Sequence, residues 1–171
     1  MKALIVMDML NDFIDEKGPL YCGKESREMV SFIREKIEEY RRSGGKVIYV
    51  CDAHAPDDKE FRMFASHAVK GTKGAEVIEE LKPGSSDVVI EKTTVKPFYG
   101  TELDMILKEI KPEEVGVVGV CTSICIMEVV SDLRVKGYKT VVYRQGVADF
   151  DKKAHEFALG HMEKVYGAVV R

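Results

Sequence analysis

The sequence predicts a three-layer α/β/α fold built on a six-stranded, mainly parallel sheet. Three observations carry that prediction: short Val/Ile-rich runs recur along the chain, helical periodicities lie between them, and turn residues separate one from the next. The first run, Ala3 to Met7, is apolar on successive residues, as a strand buried on both faces requires. Met29, Ile33, Ile37 and Tyr40 then recur at helical spacing and form one apolar stripe, closed by Ser43-Gly44-Gly45. Lys46 to Cys51 is the second strand. From Ala53 to roughly Gly74 no periodicity is clear, and a loop that long in a compact domain is either functional or disordered. Lys82-Pro83-Gly84-Ser85 marks a turn before the third strand, Asp87 to Glu91. Leu103, Ile106, Leu107 and Ile110 give the next helix, stopped at Lys111-Pro112. Val115 to Val120 is the fourth strand, followed by the stripe Ile126, Val129, Val130 and Leu133 and by a turn at Lys136-Gly137. Lys139 to Tyr143 is the fifth strand, a helical pattern carrying His155 and His161 follows, and Lys164 to Val170 is the sixth.

Length and composition narrow the function classes. The 171 residues fit a single domain spanning 1–171, large enough to bury a full core without staples. A formal net charge of -3 supplies no basic footprint, so nucleic acid is not an expected partner. No apolar run approaches the roughly 18 residues of a membrane span, and the opening segment lacks the small-residue cleavage site of a signal peptide. A cytoplasmic protein is expected. Asn and Gln occur once each, at Asn11 and Gln145, and Trp is absent.

In open parallel sheets ligands bind beyond the carboxyl ends of the strands, near the point where strand order reverses. The residues expected there are Asp8 after the first strand, Asp52 and His54 after the second, Lys92 after the third, and Cys121 to Cys125 after the fourth. Cys125 falls at the start of a helix, where free backbone N–H groups and the helix dipole favour a thiolate nucleophile. Asp52 and His54, with His67 and Glu60 in the long loop, offer the oxygen and nitrogen ligands that suit zinc, manganese or iron. Taken singly, each has a plainer reading: a solvated carboxylate, a satisfied histidine or a small buried thiol. Cys121 and Cys125 are spaced too loosely for half of a structural zinc site, and no second pair exists.

Together these residues resemble the isochorismatase-like cysteine hydrolases, and among them the nicotinamidases, along nearly the whole chain. The family's opening Asp-x-Gln-Asn-Asp-Phe reads here Asp8-Met9-Leu10-Asn11-Asp12-Phe13. Its Asp-x-His with a following Glu and His reads Asp52-Ala53-His54, Glu60 and His67, trailed by Gly71-Thr72. Its lysine, followed by an aromatic-Gly-Thr stretch, reads Lys92 with Phe98-Tyr99-Gly100-Thr101, and its Gly-Val-x-Thr-x-x-Cys reads Gly119 to Cys125.

The resemblance implies a Rossmann-like sheet and an Asp-Lys-Cys triad of Asp8, Lys92 and Cys125. It also implies an oxyanion hole from the backbone N–H groups of Cys121 and Cys125, with a cis peptide between Val120 and Cys121. Asp52, His54, His67 and, less directly, Glu60 would hold a divalent metal, zinc first and manganese or iron next, that anchors the ring nitrogen of a small amide substrate. Phe13 and Phe64 become the ring contacts, and relatives are commonly dimers or tetramers. The implied reaction is nicotinamide plus water to nicotinate plus ammonia, through a thioester. Leu10 for Gln, Ser123 for an acidic residue, Lys96-Pro97 for small residues and Val129-Val130 for a Thr-Ala pair depart from the pattern. Leu10 and Lys96 are expected near the pocket, where they would alter its polarity; the superfamily also hydrolyses other amides, such as N-carbamoyl compounds and ureides. Isochorismatases typically lack the nucleophilic cysteine, so Cys125 points away from ether hydrolysis. Outside amide hydrolysis stand a non-haem iron oxygenase, which would leave Lys92 and Cys125 idle, and a non-catalytic relative or thiol redox sensor using Cys121 and Cys125.

Overall fold

The computed structural model describes residues 1–171. Six strands, β1 (Lys2–Met7), β2 (Lys46–Asp52), β3 (Val88–Lys92), β4 (Glu114–Val120), β5 (Thr140–Ala148) and β6 (Val169–Val170), form one sheet in the order β3-β2-β1-β4-β5-β6. Every pairing is parallel, so the sheet is wholly rather than mainly parallel. Alternation along β1 feeds two cores. Leu4 and Val6 face one side with Ile33, Ile37 and Tyr40 of α3 (Val30–Arg42), while Ala3, Ile5 and Met7 face the other. That second core is covered by α4 (Leu103–Ile110), α5 (Met127–Val135) and α6 (Lys152–Lys164). Each fully buried Val, Leu or Ile contributes roughly 1.5–3 kcal/mol, which is why the apolar runs dictate the layers.

Several boundaries differ from the sequence reading. Two short helices, α1 (Asn11–Ile14) and α2 (Lys24–Glu28), precede α3; neither is long enough to show a period. Asp52 and Lys92 are the last residues of β2 and β3 rather than the first beyond them. The fifth strand runs on to Ala148, because five residue steps from Val142 to Val147 match two steps from Val117 to Gly119 in β4. This bulge hides the strand's continuation from a simple pattern. The sixth strand is only Val169–Val170; residues 152–164, which end at the expected start of that strand, are helical.

The chain leaves β1 toward β2 and later crosses to β4 on the other side of β1, so the carboxyl ends of β1 and β4 flank the reversal of strand order. Gly119 sits at that end with φ 118°, and a Cβ there would stand 2.0 Å from the Met7 carbonyl oxygen. Only glycine permits this approach of β4 to β1.

Candidate active site

Asp8 leaves β1 in a left-handed conformation, φ 50°, which turns its side chain under the strand ends. Its Oδ1 accepts the Asp52 backbone N–H at 2.8 Å, and its Oδ2 lies 2.8 Å from Lys92 Nζ. Lys92 also pairs with Asp52 Oδ1 and donates to Cys125 Sγ at 3.6 Å. All four side chains are buried. Burial and the neighbouring Asp52 charge raise the Asp8 carboxyl to about 6, with Lys92 opposing them. For Asp52 burial is outweighed by the Lys92 charge and its hydrogen bond and by the adjacent His54 and His67 imidazoles, which hold it well below the ordinary carboxylate range. Lys92 is kept charged despite burial by Asp8, Cys125 and Asp52. Burial pushes the Cys125 thiol well up, against the pull of Lys92. The group therefore rests with its proton on sulfur, beside a carboxyl poised to exchange it near neutrality.

Cys125 stands not at the start of a regular α-helix but inside a five-residue π-turn, Thr122–Ile126, that leads into α5. The peptide between Val120 and Cys121 is cis. The Cys121 carbonyl accepts from both Ile124 and Ile126 N–H groups, while its own N–H donates to no group of the chain. An unpaired donor beside a buried thiol is the arrangement that can receive a developing oxyanion. Cys121 Sγ lies 3.2 Å from Cys22 Sγ, so the thiol pair closed by the fold joins Cys121 to Cys22 across 99 positions rather than to Cys125.

Asp52 joins two halves of the site. Its Oδ1 faces Lys92, and its Oδ2 lies 3.6 Å from His54 Nε2 and 3.5 Å from His67 Nε2. Donor atoms of Asp52, His54 and His67 all fall within 4.8 Å of one another, a group that could hold a metal ion. His54 Nδ1 donates to Asp58 Oδ2 at 3.1 Å, and His67 Nδ1 donates to the Ala65 carbonyl at 2.7 Å. Both bonds fix the tautomer that leaves Nε2 as a lone-pair donor, and the buried His54 Nε2 has no hydrogen-bond partner. That orphaned acceptor fits a cation. Glu60 Oε1 is 4.0 Å from His54 Nε2, outside the group of three but at its edge. The long loop is ordered by the opening segment: Asp12 Oδ2 accepts from Ala68 N–H at 2.8 Å, and Asn11 Nδ2 donates to the carbonyls of Lys73 and Glu76. A bridge between His54 and Val69 and the 3-10 turn Lys59–Arg62 give the loop local structure that no periodicity announced.

A narrow cleft opens over these groups. Asp8, Asp52, Glu60, His67, Cys121 and Cys125 line it with the expected Phe13 and Phe64. Leu20, Val95, Val120, Ile124 and Phe150 complete the wall; of these Leu20, Val95 and Phe150 were not read from the sequence. The five come from four separate segments; Ile124 lies within the Cys121 to Cys125 strand-end segment, and the same rule could have flagged Phe150. Two expectations are corrected. Leu10 is not at the pocket: it is fully buried in the core and bridges Val77. Lys96 is turned away to Glu128, with Nζ 2.5 Å from the carboxylate. A chain following the α1 turn inward hides Leu10, and an exposed lysine finds a helix carboxylate before it finds the cleft.

Comparison with known proteins places this arrangement. The isochorismatase domain family matches residues 2–171. The crystal structure of nicotinamidase PncA from Bacillus subtilis is 34% identical, with a TM-score of 0.93 over 99% of this chain and 98% of that one. N-carbamoylsarcosine amidase from Thermoplasma acidophilum is 38% identical, with a TM-score of 0.89 over 99% and 95%. Pyrazinamidase of Pyrococcus horikoshii in complex with zinc is 26% identical, with a TM-score of 0.93 over 99% and 98%. With its parallel sheet, its strand order and a match along nearly its whole length, the chain belongs to the isochorismatase family.

Proposed function

We propose that this protein is a cysteine-nucleophile amidohydrolase that converts nicotinamide and water to nicotinate and ammonia. The observation that carries the reading is the Lys92 ammonium held between the Asp8 and Asp52 carboxylates and against the Cys125 sulfur, which itself opens on a cleft lined largely by apolar side chains. Asp8 takes the Cys125 proton as the sulfur attacks the carboxamide carbon, and Lys92 stabilises the charge that results. The carbonyl oxygen becomes an oxyanion beside the N–H groups of Cys121 and Cys125. Asp8 returns the proton to nitrogen, the C–N bond breaks, ammonia leaves and a thioester remains on Cys125. Asp8 next deprotonates a water that adds to the thioester carbon; the C–S bond breaks, nicotinate departs and Cys125 is regenerated.

A divalent cation held by Asp52, His54 and His67, zinc in the first instance by analogy with the Pyrococcus horikoshii neighbour, would supply a Lewis-acidic anchor for a ring heteroatom. Phe13 and Phe64 flank the same cleft and offer flat apolar faces to a ring. Among the amides hydrolysed by its structural neighbours, an uncharged ring amide suits this wall best. Beyond the metal site the cleft lining offers neither Lys nor Arg to pair with the carboxylate of an N-carbamoyl amino acid. The experiment is ammonia release from nicotinamide and from N-carbamoylsarcosine by the zinc-loaded protein. Turnover of nicotinamide is expected to exceed the other by at least about 10²-fold, the scale set by an unpaired charge in a dry site; preference for N-carbamoylsarcosine would overturn the substrate assignment.

A further inference from the structure

The π-turn bearing the nucleophile needs an anchor, since its N–H groups have no helical turn before them to bond to. The end of β5 provides one. Asp149 Oδ2 accepts from both the Ser123 N–H and the Ser123 Oγ at 2.7 Å each, and Oδ1 accepts from Asp151 N–H at 3.2 Å. Asp149 is 9% exposed, and a charged acceptor with two short bonds is among the stronger restraints a turn can have. Next to it, Thr122 Oγ1 and His155 Nδ1 of α6 are 2.9 Å apart, with Thr122 fully buried. Thus Thr122 and Ser123, between the cis peptide and Cys125, are both tied from outside their own helix.

The bulge in β5 is what brings Asp149 into place. Val120 pairs with Ala148, so Asp149 emerges abreast of Cys121. Had β5 kept the register of Val117 with Val142, residues of its polar Arg144-Gln145-Gly146 stretch would have stood there instead. The residue after Asp149 is Phe150, which lines the cleft. One strand end therefore grips the turn and supplies part of the pocket wall.

We propose that Asp149 is a positioning residue for Cys125: by holding both donors of Ser123 it fixes the π-turn so that the sulfur meets Lys92 and the Cys121 N–H faces the cleft. The proposal rests on the amidohydrolase reading for its kinetic consequence, but the position of the sulfur can be read without any substrate. In wild type, Asp149→Ala, Asp149→Asn and Ser123→Ala, nicotinamide turnover is measured beside the rate at which iodoacetamide alkylates Cys125, followed by peptide mass. Asp149→Ala is expected to lose about 10²-fold in kcat, the cost of a displacement near 1 Å, with KM within about threefold. Its alkylation slows by about tenfold as the sulfur leaves Lys92. Asp149→Asn, which keeps an acceptor oxygen, restores most of both. Alkylation and kcat of Asp149→Ala within about twofold of wild type would overturn the assignment, as would a loss confined to KM, which marks displacement of Phe150 instead. Should Asp149→Ala fail to fold, Ser123→Ala, which removes one of the two bonds to Asp149, decides on alkylation rate: a slowing of about threefold or more supports the grip, and a rate equal to wild type contradicts it. A protein that hydrolyses no amide would sink the functional reading, while the alkylation rates still judge Asp149.

Discussion

Both ends of the sheet carry a buried charge enclosed by groups of opposite sign, and they behave in opposite ways. At the amino end Glu114, first residue of β4, lies 3.1 Å from Lys2 Nζ and 3.1 Å from Lys139 Nζ, with Arg171 at 3.8 Å. At the carboxyl end Lys92 is enclosed by Asp8, Asp52 and Cys125. The difference is access to water. The Lys2 and Lys139 side chains are 47% and 66% exposed, whereas Lys92 is 0%. At the amino end burial would raise Glu114, but its ion pairs with Lys139 and Lys2 prevail and its carboxyl sits below the ordinary range. At the carboxyl end burial wins for Asp8 and Cys125, whose protons are held more tightly than in water. The same pairing of charges makes a clamp where solvent shares the cost and a reactive centre where it does not.

That contrast can be broken by substitution. The largest effect is expected for Cys125→Ala, which should reduce ammonia release on the order of 10⁴-fold or more while leaving the thermal midpoint close to wild type. Lys92→Met comes next in its cost to the fold. It strands Asp8 and Asp52 as uncompensated buried carboxylates and should lower stability by about 3–5 kcal/mol in urea denaturation at neutral pH, whereas Lys139→Met should cost under about 1 kcal/mol. Zinc added to the metal-free protein should raise the thermal midpoint, with about 2.7 kcal/mol gained at a hundredfold excess over the dissociation constant; His54→Ala should abolish that rise. The smallest effect is at the amino end. Because the folded Glu114 carboxyl lies below its unfolded value of 4.5, its contribution is complete at neutral pH and disappears as pH falls through the folded value. Glu114→Gln should therefore destabilise by about 1 kcal/mol at pH 7 and by nothing in strong acid, as read from urea midpoints across pH.

The sheet was legible because β1, β2 and β4 are buried on both faces and their apolar runs are continuous. Alternation between the two cores, Leu4 and Val6 against Ala3 and Ile5, was not legible in such runs, since both sets are apolar. The strand-end rule found Asp8, Asp52, His54, Lys92 and the Cys121 to Cys125 segment, all of which the fold gathers on one rim. It missed the double use of Asp52, because nothing local says which oxygen turns to Lys92 and which to the imidazoles. Asp149 was missed for a related reason: the β5 bulge moves it into register with Cys121, and a bulge leaves no periodic trace. Cys22 and Cys121, 99 positions apart, meet only through the packing of the segment after α1 against the π-turn. Asn11 was noticed as the lone asparagine beside Asp8; its amide holds the carbonyls of residues 73 and 76, tying down the loop that follows His67.

The most direct test of the central claim intercepts the acyl group on Cys125. With nicotinamide as substrate and hydroxylamine present, a thioester would partition between water and the stronger nucleophile. The account predicts that nicotinohydroxamate forms in competition with nicotinate, in a ratio that rises with hydroxylamine, while Cys125→Ala yields neither. Nicotinate as the sole product at every hydroxylamine concentration, or undiminished turnover by Cys125→Ala, would contradict it.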